Sequence, residues 1–191
     1  MFFKLRIIIV SLVLFLITAC ENKENSREFE HQKTNVIFIS IDTLRPDHMG
    51  AYGYNRNTTP FIDQLVKSAV LFENAYVPLP ATSASHASML TGLHPLQHNV
   101  RANGTPLDDS IETIAEKFKD AGYHTVGAIS VSHLKGEFGF AQGFDNFSDT
   151  WNENSGGSGE WERDAEKTTD ITMKMIDDYI NHSDDLPLFL F

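Results

Sequence analysis

The sequence predicts an α/β fold in which a mainly parallel β-sheet is flanked by helices. Apolar, β-branched runs at 35–41 and 124–130 lack helical spacing, and segments with helical spacing separate them. Strands that alternate with helical segments favour a parallel sheet, because a parallel connection requires a crossover. The chain has 191 residues, 41% of them hydrophobic, which is enough for one domain with a buried core.

The first segment of the chain is typical of an export signal. Lys4 and Arg6 precede an apolar stretch that ends in small residues and in Cys20, the only cysteine. This ending resembles the lipobox of bacterial lipoproteins, in which the cysteine is lipidated. We therefore expect residues 1–20 to be a lipoprotein signal peptide, with Cys20 as the first mature residue and a membrane anchor. An uncleaved signal anchor with an incidental cysteine is the alternative.

Charge and polarity indicate which partners the chain has. Residues 21–34 are charged and polar, which predicts a flexible tether between the folded body, 35–191, and a membrane surface of the bacterial cell envelope. The chain has 15 Lys and Arg against 26 Asp and Glu, a formal charge of −11. Nucleic-acid binding requires a clustered basic surface, so the charge argues against that class of protein.

The first strand and the first two helices follow from local patterns. The run 35–41 fits a strand buried on both faces, and it ends at Asp42. Thr59 and Pro60 predict a helix start, and a helix over about 60–70 follows. A second helix is predicted from a capping box that Asp109 forms with Glu112, with a stop at Gly122.

The second half of the chain continues the alternation. A strand is predicted over 124–130, surface loops over 136–147 and 152–159, and a helix over about 164–180. Residues 188–191 look like the start of another buried strand. We expect from this ending that the domain is incomplete, that an apolar strand edge is exposed, and that the chain alone is catalytically silent.

Two places in the sequence can carry chemistry. Ligands of open parallel sheets bind beyond the carboxyl ends of the strands, where Asp42 lies. Its carboxylate can hold a divalent cation, or it can merely cap the next turn. The hydroxyl-rich segment 80–92 predicts a helix N-terminus that favours an anion and offers a nucleophile, or an ordinary Ser/Thr-rich cap. His94 and His98 are interpreted as loop residues, because Gly92 and Pro95 interrupt any helix across them.

A resemblance to a known family extends from about residue 35 to the end of the chain. The segments that carry it are 35–47, 50–53, 59–60, 72–76, 80–95, 98, 121–124 and 143–147. Together they resemble the N-terminal part of a sulfatase, a family of the alkaline-phosphatase superfamily. The resemblance implies hydrolysis of a sulfate ester through a covalent intermediate, with a divalent cation, Ca²⁺ by preference, held by carboxylates at the strand ends.

The family's site residues transfer to this sequence position by position. Asp42 matches the first aspartate of the metal pair, and Thr43 replaces the second. The signature C/S-x-P-S/A-R falls on 82–86, so Thr82 stands at the nucleophile position, where it would also be a metal ligand, and His86 replaces the arginine. The Lys-x-His element falls on 131–133, which leaves His133 as its matching residue. The resemblance thus implies Thr82, His86 and His133 as the catalytic residues. Sulfatases convert a cysteine or serine to formylglycine, a conversion not expected of threonine.

The threonine keeps two other functions open. It resembles the unmodified nucleophile of nucleotide pyrophosphatase/phosphodiesterase relatives, which attacks phosphorus between two zinc ions. The substrate would then be a phosphorylated rather than a sulfated small molecule or glycan. The contrasting class is a non-catalytic surface protein that keeps the fold and binds glycans or other partners.

Overall fold

A four-stranded parallel sheet forms the centre of the fold. The computed structural model describes residues 34–150, 161–182 and 186–191. Its strands are β1 (Val36–Ile37), β2 (His124–Ala128), β3 (Asn146–Ser148) and β4 (Leu188–Leu190), in the order β1-β4-β2-β3. All three neighbouring pairs are parallel, which confirms the predicted α/β class.

Five α-helices accompany the sheet in the described residues. They are α1 (Pro60–Leu65), α2 (Thr82–Thr91), α3 (Pro95–His98), α4 (Ile114–Asp120) and α5 (Ala165–His182). Short 3₁₀ turns lie at Pro46–His48, Gly50–Tyr52, Val66–Ser68, Ser132–Leu134 and Gly136–Phe138. None of the helices within these residues has both the length and the apolar character needed to span a bilayer.

Helices cover both faces of the sheet. Side chains alternate along a strand, so Leu188 and Leu190 share one face and Phe189 lies on the other. The two leucines pack with α5, whose Met175 lies against their cluster. Phe189 stacks on Phe118 of α4, with ring centroids 4.3 Å apart. The predicted arrangement of a sheet between helices is therefore confirmed.

The first strand is shorter and more exposed than the sequence predicts. Its ladder covers Val36–Ile37, and one further hydrogen bond joins the Phe38 amide to the Leu190 carbonyl. Ile37, Ile39 and Ile41 are 59%, 75% and 54% exposed. The prediction of burial on both faces is wrong because β1 is the edge strand of the described sheet and alternate side chains face away from the core.

The predicted strand edge at 188–191 is also wrong. Strand β4 lies between β1 and β2 and pairs with both, so its backbone is not an open edge. Its three residues are buried, as the apolar run predicts. The sequence predicts a loop over 136–147. The end of this segment instead begins a further strand, β3, which extends to Ser148.

The helix predicted after Asp109 begins later. Thr113 is the N-cap of α4, and it forms a capping box with Glu116. The carboxylate of Asp108 instead accepts hydrogen bonds from the Ser110 amide and hydroxyl, which fixes a turn before the helix. The stop is as predicted: Gly122 has a φ of +81°, the left-handed conformation that glycine adopts most easily.

The interpretation of His94 and His98 as loop residues is confirmed for His94, whose backbone is extended, and is wrong for His98. Pro95 starts the short helix α3, with His94 as its N-cap and His98 as its last residue. Proline fits the first position of a helix, so it begins one here rather than ending one. The predicted signal peptide with Cys20, the tether up to residue 33 and the loop at 152–159 lie outside the described residues.

Candidate active site

The chain leaves the sheet at the carboxyl end of β1 and turns sharply after Asp42. Thr43 has a φ of +57°, which few residues other than glycine adopt. The turn leaves the Asp42 carboxylate exposed beside the first turn of α2. This is the position at the carboxyl end of a parallel strand that the sequence predicts for it.

Two separate segments, one at Asn103 and Gly104 and the other at His133, hold the N-terminus of α2. The Ser83 amide donates to Asn103 Oδ1 at 3.1 Å. The buried Ser83 hydroxyl donates to the His133 carbonyl at 3.0 Å and accepts from the Gly104 amide at 3.3 Å. These contacts fix the helix end on which Thr82 is the first residue.

Thr82 and Asp42 are brought together, as the sequence predicts. The Thr82 hydroxyl donates a hydrogen bond to Asp42 Oδ2 at 3.1 Å. The pair joins the exit of β1 to the first residue of α2. A hydroxyl bonded to a carboxylate at a helix N-terminus combines a nucleophile and a proton acceptor with the positive end of the helix dipole, which favours an anion.

His86 lies one helical turn after Thr82 and is 4% exposed. Its Nδ1 is 2.8 Å from the Thr82 carbonyl, which can only accept, so Nδ1 carries the proton. Its Nε2 lies 2.9 Å from the Ser40 hydroxyl, and in the neutral ring it accepts from that hydroxyl. Burial lowers the pKa of His86, against the opposing effects of the Thr82 carbonyl and the Asp42 charge, and favours this neutral form.

His133 approaches the same helix end through its backbone. Its carbonyl accepts from Ser83, while its ring lies against the indole of Trp161 with centroids 6.4 Å apart. Within the described residues, the hydrogen bonds of Thr82 and Asp42 do not include the ring of His133. The structure thus joins Asp42, Thr82 and His86 directly and attaches His133 by its main chain.

The sequence did not predict Ser40, Ser83 or Asn103 as parts of this site. Ser83 and Asn103 are 20 residues apart, and Ser40 and His86 are 46 apart. The sequence shows a cluster of serine and threonine residues before Met89 and Leu90. It does not show which of these hydroxyls contacts which distant segment. A cavity of about 330 Å³ borders Asp42 and His86. Apolar side chains of the strands and the segments that follow them line it on one side, and α5 contributes Thr168, Thr169, Thr172 and Met173.

Comparison with known proteins identifies the family. A model of the sulfatase family matches residues 34–191. The chain belongs to the sulfatase family. Among curated relatives, a Delta 4,5-hexuronate-2-O-sulfatase of Bacteroides thetaiotaomicron is 35% identical over 100 residues, covering 50% of this chain and 21% of the relative. An arylsulfatase of Clostridium perfringens is 35% identical, covering 56% of this chain and 23% of the relative.

Solved structures show the same fold. A protein solved in complex with its substrate D-glucosamine-2-N,6-O-disulfate matches with a TM-score of 0.66 and 22% identity over 83% of this chain and 33% of that protein. The phosphonate monoester hydrolase of Agrobacterium radiobacter matches with a TM-score of 0.61 and 21% identity, over 82% and 40%. This sulfatase-family chain spans about a fifth of the length of the two curated relatives.

The donor atoms of this sulfatase site suit an oxygen-binding cation. Asp42 and Thr82 offer a carboxylate and a hydroxyl oxygen, the donors that Ca²⁺ and Mg²⁺ prefer. Zinc is commonly bound by histidine, but both ring nitrogens of His86 are hydrogen-bonded. Residues 34–150, 161–182 and 186–191 contain no group of three or more His, Cys, Asp or Glu that could hold a metal. The described residues thus fit such a cation chemically and supply two of its roughly six to eight ligands.

Proposed function

We propose that this protein hydrolyses sulfate esters with Thr82 as the nucleophile. One observation carries the proposal: in a domain of the sulfatase family, the Thr82 hydroxyl donates to Asp42 Oδ2 at the first residue of α2. The dipole at this helix end favours the negative charge of a sulfate group. The nucleophile, its proton acceptor and the anion subsite therefore all lie at the first turn of α2.

In the proposed reaction, Thr82 Oγ1 attacks the sulfur atom of the ester. The Oγ1–S bond forms as the bond between sulfur and the leaving oxygen breaks. The hydroxyl proton passes to Asp42 Oδ2, and the leaving oxygen takes a proton from solvent to become an alcohol. Water then attacks sulfur as the Oγ1–S bond breaks. The protons of that water pass to solvent as sulfate leaves, and the proton held by Asp42 returns to Oγ1 and restores the Thr82 hydroxyl.

We propose Asp42 and Thr82 as ligands of a divalent cation. Two oxygen donors suit Ca²⁺ or Mg²⁺, and the resemblance to sulfatases favours Ca²⁺. A bound cation would stabilise the charge that develops on the sulfate oxygens. His86 holds the first turn of α2 through the Thr82 carbonyl rather than facing the ester, and His133 supports the same turn through its own carbonyl.

The proposed substrate class is a sulfated glycan or a related sulfated small molecule. Relatives of this chain are named as a hexuronate-2-O-sulfatase and an N-acetylgalactosamine-6-O-sulfatase, both from Bacteroides thetaiotaomicron. Their identities to this chain are 35% and 34%. These names support an ester carried on a sugar, without fixing which hydroxyl bears the sulfate.

The second candidate function is hydrolysis of a phosphate ester. Position 82 carries an unmodified threonine hydroxyl, which can attack phosphorus as well as sulfur. A site for a zinc pair would need nitrogen or carboxylate ligands in addition to Asp42. Comparing aryl sulfate with a phosphodiester, each with Ca²⁺ or Zn²⁺, separates the two activities.

The test of the nucleophile uses Thr82→Ala and Thr82→Ser in the full protein. We expect Thr82→Ala to lose most of the turnover, because binding and electrostatic effects alone remain. Thr82→Ser keeps a hydroxyl and should retain activity. Turnover by Thr82→Ala equal to the parent would refute the assignment. No turnover of either ester by the parent, with no cation retained through dialysis, would favour a binding protein.

We also propose that Cys20 carries a lipid that anchors the protein to a membrane of the bacterial cell envelope. Support comes from the apolar stretch between Lys4 and Cys20 and from the small residues before the cysteine. Cys20→Ser should release the protein from membranes or leave its precursor uncut. An unchanged lipidated product in the membrane fraction would contradict this assignment.

A further inference from the structure

Two neighbouring hydrogen bonds connect the segment after β1 to α2. Asp42 accepts from the Thr82 hydroxyl at 3.1 Å, and Ser40 contacts His86 Nε2 at 2.9 Å. Ser40 and Asp42 are two residues apart in the segment after β1, and the side chains of both reach α2. Thr82 and His86 are four residues apart on a helix and share a face.

A third contact closes these bonds into a ring. His86 Nδ1 donates to the Thr82 carbonyl at 2.8 Å, so the residue that contacts Ser40 also holds the backbone of the proposed nucleophile. On another side, the Phe191 ring lies edge-on to the imidazole, with centroids 6.2 Å apart. The imidazole is thus confined by packing and oriented by hydrogen bonds at both nitrogens.

We propose that Ser40 is a positioning residue, whose hydroxyl holds the His86 ring so that the first turn of α2 presents Thr82 Oγ1 to Asp42. The proposal rests on the proposed function, because it concerns the geometry of that nucleophile. Ser40 itself lies outside the reacting pair, and it acts through His86. Without the hydroxyl, Nε2 would be a buried acceptor with no partner, a state that proteins avoid by rotating or rehydrating the group.

The chain offers a matched control on the same helix. The Ser88 hydroxyl lies 2.9 Å from Nε2 of His98, so it forms a second serine–histidine pair with the same distance. Ser88 is six positions after Thr82 and outside the proposed site. Ser88→Ala removes a serine–histidine hydrogen bond of the same length, in which the histidine is the donor, without touching the Asp42–Thr82 contact.

The experiment compares Ser40→Ala, Ser40→Thr and Ser88→Ala in the full protein, the same parent that is used for the Thr82 variants. Steady-state kinetics with an aryl sulfate should show kcat for Ser40→Ala lowered on the order of 10-fold to 100-fold with little change in KM, because small misplacements of reacting groups have effects of this size. Ser40→Thr, which keeps the hydroxyl, should restore most of the rate. Ser88→Ala should keep the parent kcat.

A spectroscopic arm does not depend on turnover. Nitrogen NMR of the His86 ring at pH 8 should show a neutral ring protonated at Nδ1 in the parent and in Ser40→Thr. In Ser40→Ala the Nε2 resonance should move toward that of a nitrogen without a donor. Ser88→Ala should leave the His86 signals unchanged and move those of His98.

The outcomes separate the positioning role from the proposed function. Parent-like kcat and parent-like His86 signals in Ser40→Ala would overturn the positioning role. An equal loss of kcat in Ser88→Ala would also overturn it, since general destabilisation would then explain both. If the parent hydrolyses no ester, the proposed function fails, and unchanged His86 signals in Ser40→Ala would still refute the contact with Ser40.

Discussion

Two buried histidines, His86 in α2 and His98 beside it, have hydrogen bonds that fix opposite tautomers. His86 donates from Nδ1 to a carbonyl, whereas His98 accepts the Val100 amide at Nδ1 with a distance of 3.1 Å. The proton of neutral His98 therefore lies on Nε2, which donates to the Ser88 hydroxyl. Each ring is a structural hydrogen-bonding group that accepts a second proton only by losing a bond or changing a partner.

The residue-scale prediction concerns the pH dependence of stability through His98. Burial lowers the pKa of His98, and the charge of His94 acts in the same direction. The histidine of the unfolded chain, with a pKa of about 6.5, therefore binds the proton more tightly than the folded chain does. The free energy of unfolding should fall as the pH drops below about 6.5 toward the folded pKa. His98→Gln should make this dependence shallower, measured by urea denaturation between pH 5.5 and 8.

The remaining slope in His98→Gln is expected from His86, whose pKa burial lowers in the same direction. Each variant is compared with itself across pH, so the destabilisation that the substitution causes at all pH values does not affect the result. Identical pH dependence in the parent and His98→Gln would contradict the prediction.

At this scale the sequence predicts the chemistry of single residues better than their partners. Asp42 at a strand end and a hydroxyl at a helix start are local features, and the structure places both as predicted. The contacts of Ser83 with Asn103 and His133 span 20 and 50 residues. Such pairings depend on how loops meet above the sheet, which no local pattern specifies.

At the scale of elements, α4 shows how a helix start is selected among competing residues. Asp109 and Glu112 have the spacing of a capping box, but Thr113 and Glu116 have the same spacing four residues later. The later box is favoured because the Thr113 hydroxyl also donates to the Gln142 carbonyl at 3.2 Å. A tertiary contact therefore decides between two equivalent local signals.

The element-scale prediction tests this selection with matched variants. Thr113→Ala removes the bond to the Glu116 amide and should lower the free energy of unfolding by about 0.5–2 kcal/mol, the usual cost of a lost N-cap. Asp109→Ala removes the residue at which the sequence predicted the cap, and its effect should stay within about 0.5 kcal/mol. Both are measured by urea denaturation. A larger loss of unfolding free energy in Asp109→Ala than in Thr113→Ala would indicate that the helix is capped at Asp109.

The missed strand β3 has a similar physical origin. Asn146–Ser148 follows a segment rich in glycine and aromatic residues, which indicates a loop. The strand forms because β2 offers a free edge, and Gly127 opposite Phe147 leaves room for that ring: an added Cβ at Gly127 would lie 2.5 Å from it. The sequence shows the composition of this segment but not the edge that orders it.

At the scale of the whole molecule, β4 joins parts of the chain that are distant in sequence. It pairs with β1 on one side and with β2 on the other, so the first and last described segments share one sheet. Its central residue, Phe189, stacks on Phe118 of α4, and its ring centroid lies 6.0 Å from that of Phe144. Phe189 therefore couples the sheet to the α4 layer, in addition to the direct contacts between α4 and β2.

The last prediction follows from that coupling. Phe189 is fully buried, so Phe189→Ala should lower the free energy of unfolding by about 3–5 kcal/mol, through lost transfer energy and the cavity that remains. Phe72, which is 71% exposed, provides the matched control, and Phe72→Ala should change stability by about 0.5 kcal/mol or less. Circular dichroism and tryptophan fluorescence during urea denaturation should show coincident transitions in both variants, because sheet and helices share this core. Separate transitions in Phe189→Ala, or equal losses in the two variants, would show that the α4 layer is stabilised independently of β4.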